Sequence, residues 1–289
     1  MLVPREELRF DFKGASFDLS RESDRRLLGW IFNQFLYGEV TGIQCGHWLY
    51  RAPSLHAASF LAKQAGEELS HVRKILRIFS LLGEQPGKAH PAIVFLSTGM
   101  MGGGWGEHVA LEMALGEGLV LGVFYAMADT IPDPEIKKIL EHATVEEERH
   151  VEFGERETLE WIHRYPKSRK MLLGLALVQV IALKALKRFV VGRLLKQYGS
   201  DHPVMGQFGA FYDQTMRCLE ARVDRLGLSD VPISQLTATR KLGLIATVPF
   251  RKVAARFTQR QGRLTATYLQ DAALLAEAER FRPSESESG

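Results

Sequence analysis

One pattern of acidic residues and histidine occurs twice in the first part of the chain and restricts what the chain can fold into. Each copy has a single glutamate, followed about eight helical turns later by a glutamate that begins a Glu-x-x-His segment. The second copy repeats the spacing of the first to within one position, and the members are Glu39, Glu68, His71, Glu117, Glu147 and His150. Because burying such acids singly is unfavourable, the repeat favours folds in which these side chains meet.

A proline near the middle of each copy indicates that each copy is a helical hairpin. Pro53 lies almost midway between Glu39 and Glu68, and Pro132 lies midway between the two glutamates of the second copy. A helix rising 1.5 Å per residue climbs about 21 Å from Glu39 to the turn and descends about 22 Å to Glu68. Positions i and i+3 of each Glu-x-x-His share a helix face. Two hairpins packed face to face would therefore bring four carboxylates and two imidazoles to one level.

The neighbours of these acids are apolar, which makes a cluster without cations unfavourable. Phe35, Leu36 and Ile43 flank Glu39 at helical spacing, and the other three glutamates have similar neighbours. Burying one uncompensated carboxylate costs several kcal/mol, so four together require cations. Two divalent ions supply four positive charges, and carboxylate-rich ligation with one imidazole per metal suits Fe, Mn or a mixed pair.

The rest of the pattern predicts an all-α protein. Apolar residues recur at helical spacing along nearly the whole chain, and no strand-like alternation stands out. Ser20 is the predicted N-cap of the first long helix, and a Gly/Pro-rich crossover at 84–106 separates the two hairpins. The predicted helices span 21–51, 54–82, 107–129, 135–163, 167–198, 203–226 and 240–281.

The doubled pattern resembles that of the ferritin-like non-haem diiron carboxylate proteins, in which two helices each give a Glu and two others each give a Glu-x-x-His. The resemblance covers residues 21–163 and implies a ferritin-like four-helix bundle with additional C-terminal helices. It implies two iron ions, with Mn or a Mn/Fe pair as alternatives, and Glu68 and Glu147 as bridges between the metals. By position, one iron would be bound by Glu39, Glu68 and His71, and the other by Glu117, Glu147 and His150.

The same resemblance implies a role for three charged residues beside these positions. Glu67 and Glu146 each precede a ligand glutamate, as an acid does in the similar D/E-E-x-R-H motifs of bacterial multicomponent monooxygenases. Metal-bound imidazoles usually donate their second N–H to a carboxylate. The resemblance implies that Glu146 holds His71, that Glu67 holds His150, and that Arg149 pairs with these outer acids. The alternative is that all three are solvated helix charges.

Domain boundaries and compartment follow from the same pattern and from composition. The chain has two cysteines, too few for a disulfide framework, and its first residues lack the apolar region of a secretory signal. The longest apolar run, 171–191, is interrupted by charged residues and is too short for a membrane span, so we expect a cytoplasmic protein. We predict an extended arm at 1–19, the bundle at 20–165, C-terminal helices packed on it at 166–282, and a disordered tail at 283–289.

Several branches of the family lack support in this chain. No CxxC iron site of the rubrerythrin-like peroxidases is present, and the C-terminal helices would obstruct a storage cage. Ile75 stands where the ribonucleotide reductase small subunit has a tyrosine, and Ala143 where arylamine N-oxygenases have a third histidine. The short hairpins look most like those of aldehyde-deformylating oxygenases and tRNA-hydroxylating diiron enzymes. The resemblance therefore implies an O₂-activating oxidase or monooxygenase, performing hydroxylation, desaturation or oxidation of an aldehyde or C–C bond.

Glycines and large apolar residues near the acids suggest a substrate pocket. Gly38, Gly42 and Gly46 recur once per helical turn, and each costs about 1 kcal/mol relative to Ala inside a helix. Close helix packing, or space for O₂ and substrate, would offset that cost. Five large residues are candidate pocket liners, with plain core packing as the alternative for each: Phe35, Phe60, Met113, Leu121 and Phe124.

An uneven charge distribution bears on partners. Residues 1–160 carry 16 Lys+Arg against 24 Asp+Glu, whereas residues 161–289 carry 21 against 10. The basic half could dock an acidic ferredoxin as electron donor, an acyl carrier protein, an anionic membrane surface or RNA. Long apolar stretches in the same half favour a hydrophobic small-molecule or acyl substrate over RNA, and a homodimer is also compatible with the sequence. A solvated basic face is the alternative.

Three functional hypotheses remain open at this point. The first is an O₂-using redox enzyme that acts on a hydrophobic small molecule or acyl chain. The second is a tRNA-modifying diiron hydroxylase that uses the basic half to bind its substrate. The third is a metal-bound helical bundle without catalytic activity.

Overall fold

The structure, a computed structural model, describes residues 1–94, 97, 102–199 and 201–258. These residues form helices and connecting turns and contain no strand, so the prediction of an all-α protein is confirmed. The predicted tail at 283–289 and the end of the helix predicted at 240–281 lie outside the described residues.

A short helix, α1 (Arg5–Leu8), precedes the first hairpin, which consists of helix α2 (Glu22–Gly42), a 3₁₀ segment (Ile43–Arg51) and helix α3 (Leu55–Leu82). The side chain of Ser54 accepts a hydrogen bond from the N–H of Ala57 and caps α3, and Gly83 ends it in the left-handed conformation at φ 68°. The predicted N-cap of the first helix is wrong, because α2 begins at Glu22 and the Ser20 hydroxyl instead bonds Asp18.

The second hairpin begins with a composite helix whose middle third is not α-helical. After a single helical turn in the crossover, α4 (Pro91–Val94), a short α5 (Trp105–Glu107) leads into a π-helical segment (His108–Glu117), which continues as α6 (Gly118–Thr130). Helix α7 (Pro134–Arg164) returns antiparallel to it, and the carboxylate of Asp133 accepts hydrogen bonds from the N–H groups of Glu135 and Ile136 at its start. We refer to His108–Glu117 as the π segment. The hydrophobic pattern predicts a helix here but does not distinguish π from α.

The two hairpins pack so that α3 and α7 lie next to each other at the centre. Helix α2 packs along α3, the π segment and α6 pack along α7, and contacts between α3 and α7 join the two pairs. Apolar side chains from all four fill the space between them, among them Leu28, Phe32, Leu61, Phe79, Met113 and Leu140. The level at which the glutamates of both hairpins meet lies within this packed region.

C-terminal helices cover one side of the second hairpin. Helix α8 (Arg169–Tyr198) and helix α9 (Phe208–Arg225) contribute Leu172, Leu219 and Val223 to the core. The helix predicted from residue 240 is not continuous, because α10 (Ala238–Ala246) ends before α11 (Val248–Thr258) begins, next to Pro249. The N-terminal arm also differs from the extended chain predicted, since it contains a helical turn, α1 (Arg5–Leu8).

One segment of the described chain, Trp105–Thr130, has the length and apolar composition to cross a membrane. Of its most apolar window, 67% is buried inside the protein. A core helix of a folded protein has the same composition, and burial of this kind is what core packing produces.

Candidate metal centre

The six residues of the doubled pattern converge inside the two hairpins. Ligand atoms of the first group lie within 4.8 Å of one another, and so do those of a second group that shares Glu68 with the first. The first group comprises Glu39, Glu68, His71 and Glu147, and the second comprises Glu68, Glu117 and His150. The structure therefore contains a buried Glu/His cluster that could hold metal ions.

Two carboxylates lie between the two imidazoles. The Nδ1 atom of His71 is 3.2 Å from an oxygen of Glu147 and 3.9 Å from one of Glu68. The Nδ1 atom of His150 is 3.5 Å from oxygens of both glutamates. Glu39 contacts only the first imidazole, with 3.0 Å between its Oε2 atom and His71 Nδ1. Glu68 and Glu147 thus face both histidines, the position in which a carboxylate can bridge two ions.

The outward nitrogen of each imidazole bonds a glutamate from the opposite hairpin. Nε2 of His71 is 2.9 Å from Glu146 on α7, and Nε2 of His150 is 2.8 Å from Glu67 on α3. Arg149 donates to the other oxygen of Glu67 at 2.8 Å. Since an ionised carboxylate only accepts hydrogen bonds, these contacts keep a proton on Nε2 and direct Nδ1 into the cluster.

The electrostatics of the cluster attract positive charge. Burial and the carboxylate of Glu147 raise the pKa values of Glu68 and Glu117. Burial opposes charge on the histidines, but close contacts with Glu147 and other carboxylates raise the pKa values of His71 and His150 to about 10. Against its own burial, close contacts with His150 and His71 bring the pKa of Glu147 down to about 2. A site that holds protons this tightly meets the electrostatic condition for binding cations.

The outer glutamates are kept ionised by their own partners. A hydrogen bond from His150 lowers the pKa of Glu67. Burial raises the pKa of Glu146, but hydrogen bonds from Lys74 and His71 outweigh it and bring that pKa to about 2. The Lys74 ammonium lies 2.8 Å from Glu146. Both outer acids are therefore acceptors for the imidazoles over the ordinary pH range.

Two buried polar atoms in the cluster have no hydrogen-bond partner among the described residues, namely Nδ1 of His150 and Oε2 of Glu117. Unpaired polar atoms in a protein interior are unfavourable and call for an explanation. Both atoms are good ligands for Fe or Mn, and the donor set of four carboxylates and two imidazoles suits a pair of such ions. The residues present therefore fit a dinuclear metal centre.

Sequence reasoning missed a buried glutamine beside the cluster. Gln64 is fully buried, and its amide donates to Glu117 at 3.0 Å and to Glu68 at 3.4 Å. The available signal was its position one helical turn before Glu68, on the same face of α3. It ties together a carboxylate from each hairpin.

A glycine provides the space that one of the carboxylates occupies. A Cβ atom at Gly42 would lie 2.7 Å from Oε2 of Glu68, closer than any carbon and oxygen can pack. By contrast, a Cβ at Gly38 would meet nothing within 4 Å. Close approach of a carboxylate therefore accounts for the first of these glycines.

An apolar cavity of about 410 Å³ reaches the cluster. Glu39, Glu68, Glu117 and Glu147 contribute to its wall, and most of its other lining is aliphatic or aromatic. Cys45 also lines it, and burial, with the nearby Glu117 charge, raises the pKa of this thiol to about 12. Long apolar molecules fit a cavity with this lining.

Most of the predicted pocket liners do not line this cavity. Of the five, Phe35 alone lines it. Met113 faces α7, where its Cβ packs against Gly154, and Leu121 is buried in a small core with Val3 and Leu8. The spacing of large residues located helix faces but not which face lined the cavity.

The two predicted aromatic liners also pack elsewhere. Phe60 stacks on Phe153 with 3.9 Å between ring centroids and lies edge-on to His150. Phe124 packs against Phe35 at 4.8 Å and is almost completely buried. Phe124 is a core residue and Phe60 packs, partly buried, against the core, which is the alternative that the sequence left open.

Part of the basic C-terminal half is neutralised by neighbouring acids. Lys184 and Lys187 of α8 pair with Glu220 and Asp213 of α9, and Lys252 lies 2.7 Å from Glu107. The basic positions after residue 258 lie outside the described residues.

A comparison of the chain with protein-family models, with curated proteins and with solved structures found no match. Any functional conclusion must therefore come from the geometry of the cluster and of the cavity that reaches it.

Proposed function

We propose that this protein is an O₂-activating non-haem diiron oxidase or oxygenase of the ferritin-like kind, acting on a hydrophobic small molecule or acyl-type substrate. The observation that carries the proposal is the cluster of four carboxylates and two imidazoles in which each imidazole is oriented by a carboxylate from the opposite hairpin. Carboxylate-rich ligation with one imidazole per metal is typical of iron sites that react with O₂.

The contacts support a specific assignment of ligands. Glu39 and His71 would bind one ion, and Glu117 and His150 the other, with Glu68 and Glu147 between them. A Mn/Fe or Mn pair is the alternative to iron, because the donor set suits each of them. When bound, the metal pair supplies the redox chemistry that reduces O₂ and oxidises a C–H or aldehyde group.

The chain's own residues orient the metal ligands and exclude water from the site. Glu146 and Glu67 hold the two imidazoles with Nδ1 inward, so the ligand atoms need little rearrangement when metal binds. The buried walls around the carboxylates exclude bulk water, and the apolar cavity brings a hydrophobic substrate to the same place. An external electron donor, such as an acidic ferredoxin docking on the basic half, would complete the reaction.

The first test is metal binding followed by exposure to O₂. The full chain is incubated with ferrous iron without oxygen, the bound iron is counted by native mass spectrometry, and absorbance is followed after rapid mixing with O₂. We expect two iron ions per chain and an absorbance change that requires both iron and O₂. A protein that takes up no iron contradicts the proposal, and iron binding without any optical response supports the non-enzymatic bundle instead.

Two variants and one control connect the result to the cluster. His71→Ala and Glu147→Ala each remove a ligand, so iron content should fall well below two ions per chain. Glu160→Ala changes an exposed acid that begins a third Glu-x-x-His, but Thr130 and Ile131 stand where a paired glutamate would be. Its iron content should equal that of the unmodified protein, and loss of iron there would show that the cluster is misassigned.

A further inference from the structure

The cavity has a polar region that the metal cluster does not use. It is formed by three residues that line the cavity, two from the π segment and one from α8. They are His108, Glu112 and Gln179. We refer to these three residues as the polar subsite.

The imidazole of the polar subsite has one engaged nitrogen and one free nitrogen. Nδ1 of His108 lies 2.7 Å from Glu112 Oε2, and because a carboxylate accepts, the proton of the neutral ring lies on Nδ1. Nε2 has no partner among the described residues, although the residue is only 2% exposed. Trp48 stacks on the ring at 4.8 Å and holds its plane. The histidine therefore offers an unused acceptor.

The glutamine of the polar subsite also offers an unused acceptor. The amide N–H of Gln179 donates to the carbonyl of Leu111 in the π segment at 3.1 Å. Its Oε1 atom is buried and has no partner within the described part of the chain. Hydrogen bonding of the amide thus orients the side chain and leaves its oxygen free.

Two groups that line the same cavity and could donate a hydrogen bond are already engaged. The Tyr212 hydroxyl and the Cys45 thiol, which line the same cavity, contact the carbonyl oxygens of Leu183 and Leu61. Glu112 accepts from the N–H of Gly102 at 2.6 Å as well as from the histidine, and it adds negative charge. The polar subsite therefore presents acceptors and negative charge to a ligand.

We propose that the polar subsite binds the hydrogen-bond-donating head group, a hydroxyl or an ammonium group, of a substrate with a long apolar chain. Two buried acceptors without partners are unfavourable until a donor reaches them. An ionised carboxylate head group would bring neither a donor nor favourable charge to this place. The inference rests on the proposed function, because it specifies the substrate of the same cavity.

The order of residues along the composite helix indicates how such a chain would lie. The cavity wall runs from His108 and Glu112 past Glu117 of the metal cluster to Val123 and Met127. Glu117 lies about one turn of the π segment beyond Glu112, and at about 1.5 Å per residue Met127 lies about 15 Å further along α6. A head group at the polar subsite directs the apolar chain past the metal centre, so internal carbons rather than the chain end approach it.

The experiment compares probes that have apolar chains of nearly equal length and different head groups. Binding of decan-1-ol, decylamine, methyl decyl ether and decanoate is measured by calorimetry at pH 8 on the full chain, both iron-loaded under argon and metal-free. We expect the alcohol or the amine to bind about tenfold more tightly than the ether, as loss of a hydrogen bond to a buried acceptor implies. Equal affinities, or a preference for decanoate or the ether, would overturn the proposal.

Variants test whether this preference comes from the polar subsite. Gln179→Leu and His108→Phe should each bring the ratio between donor and ether close to one. Gln34→Leu is the matched control, because Gln34 lines the same cavity but already bonds Trp30 and His90 through both ends of its amide. A ratio that survives in Gln179→Leu and in His108→Phe would contradict the assignment.

The comparison of probes also distinguishes a hydroxyl head group from an ammonium head group. If decylamine alone is preferred, the head group is an ammonium group, and Glu112→Gln should then weaken the binding of decylamine. Quenching of tryptophan fluorescence that disappears in Trp48→Phe would place the ligand beside His108.

The same measurements separate the two proposals. Because binding is measured with and without metal, a donor preference in a protein that takes up no iron contradicts the enzyme proposal only. Loss of the preference in a protein that binds iron and reacts with O₂ contradicts the polar subsite only.

Discussion

At the scale of single residues, two glutamates outside the cluster decide how its histidines are presented. Glu146 and Glu67 bond the outward imidazole nitrogens, and each belongs to the hairpin opposite to its histidine. A neutral imidazole can carry its proton on either nitrogen, and only the form with Nδ1 free can bind a metal on the inner side. Because these glutamates hold Nε2–H, Nδ1 is the nitrogen that gives up its proton when a metal binds.

Removing one of these outer carboxylates should weaken metal binding without unfolding the protein. In Glu146→Gln the amide can still bond His71, but the charge that favours the Nε2–H form is lost. We expect iron affinity to fall about 10- to 100-fold, the range found for partners of metal ligands. Glu141→Gln, an exposed change earlier on α7, is the control and should leave the affinity unchanged. Competition titration with a chelator measures both, and equal affinities in the two variants would contradict the role of Glu146.

The glycine beside Glu68 makes a second prediction at this scale. In Gly42→Ala the new methyl would overlap the Glu68 carboxylate, which must then rotate away from the cluster. We expect iron content below two ions per chain, with a melting temperature close to that of the unmodified protein. Gly38→Ala, one turn earlier, meets no atom within 4 Å and should bind iron normally, while gaining up to about 1 kcal/mol of stability. Normal iron content in both variants would show that Glu68 need not stay where it is.

The convergence of the acids and histidines could be predicted from spacing because helical rise and turn position set the height of each residue. Glu39 and Glu68 meet since Pro53 nearly bisects their separation. The contact made by Gln64 could not be predicted in this way, because a glutamine at helical spacing is as often solvated as buried. Assignment of pocket liners such as Phe60 failed for a related reason, since periodicity locates a face but not the neighbour that covers it.

At the scale of elements, the π segment combines two features of the site. It carries His108 and Glu112 of the polar subsite and ends at Glu117 of the metal cluster. Its i→i+5 hydrogen bonds bring residues five positions apart, such as Glu112 and Glu117, to one face, which an ordinary α-helix does not do. The same geometry explains how both acids can line one cavity.

The end of the π segment is held in place by a buried arginine from α9. Arg222 bonds Glu155 at 2.9 Å and lies directly over Gly118, where a Cβ would be 2.1 Å from its guanidinium. We expect Gly118→Ala to displace this buried pair and to destabilise the protein by about 3 kcal/mol, measured by denaturant unfolding. Gly122→Ala, one turn later, has its nearest neighbour at 3.9 Å and should be neutral or slightly stabilising. Equal stability of the two variants would contradict the close packing between α6 and α9.

At the scale of the whole molecule, the C-terminal helices complete the cavity as well as the core. Leu183 and Leu186 of α8 and Phe211 and Tyr212 of α9 line the same space as the four carboxylates. The part of the chain for which the sequence showed no resemblance therefore shapes this cavity. Sequence patterns could predict that these segments are helices, but not that they pack against the π segment, since that depends on side-chain shapes at distant positions.

Stability of the whole molecule should depend on pH through a buried acid outside the cluster. Burial, followed by the neighbouring charge of Glu160, raises the pKa of Glu157 to about 7 from its ordinary value of 4.5. As pH rises from about 4.5 to 7, the unfolded chain releases this proton before the folded protein does, so stability is lost across that window.

The substitution Glu157→Gln should abolish this pH-dependent loss of folding stability. Its melting temperature should match that of the unmodified protein near pH 4.5 and exceed it by several degrees above pH 7, an advantage of about 2 kcal/mol. Glu141→Gln, an exposed acid on the same helix, should show no such divergence. Parallel melting curves for Glu157→Gln and the unmodified protein across this range would contradict the raised pKa.

The buried thiol of Cys45 has a consequence for following how the molecule opens. The thiolate is the reactive form of cysteine, and with a pKa of about 12 only about one thiol in ten thousand is ionised at pH 8. Cys218 is also buried, and burial raises its pKa too. Alkylating reagents should therefore modify the folded chain slowly, and the rate of alkylation at Cys45 should report how often the cavity opens. A ligand that fills the cavity should lower this rate in proportion to its occupancy.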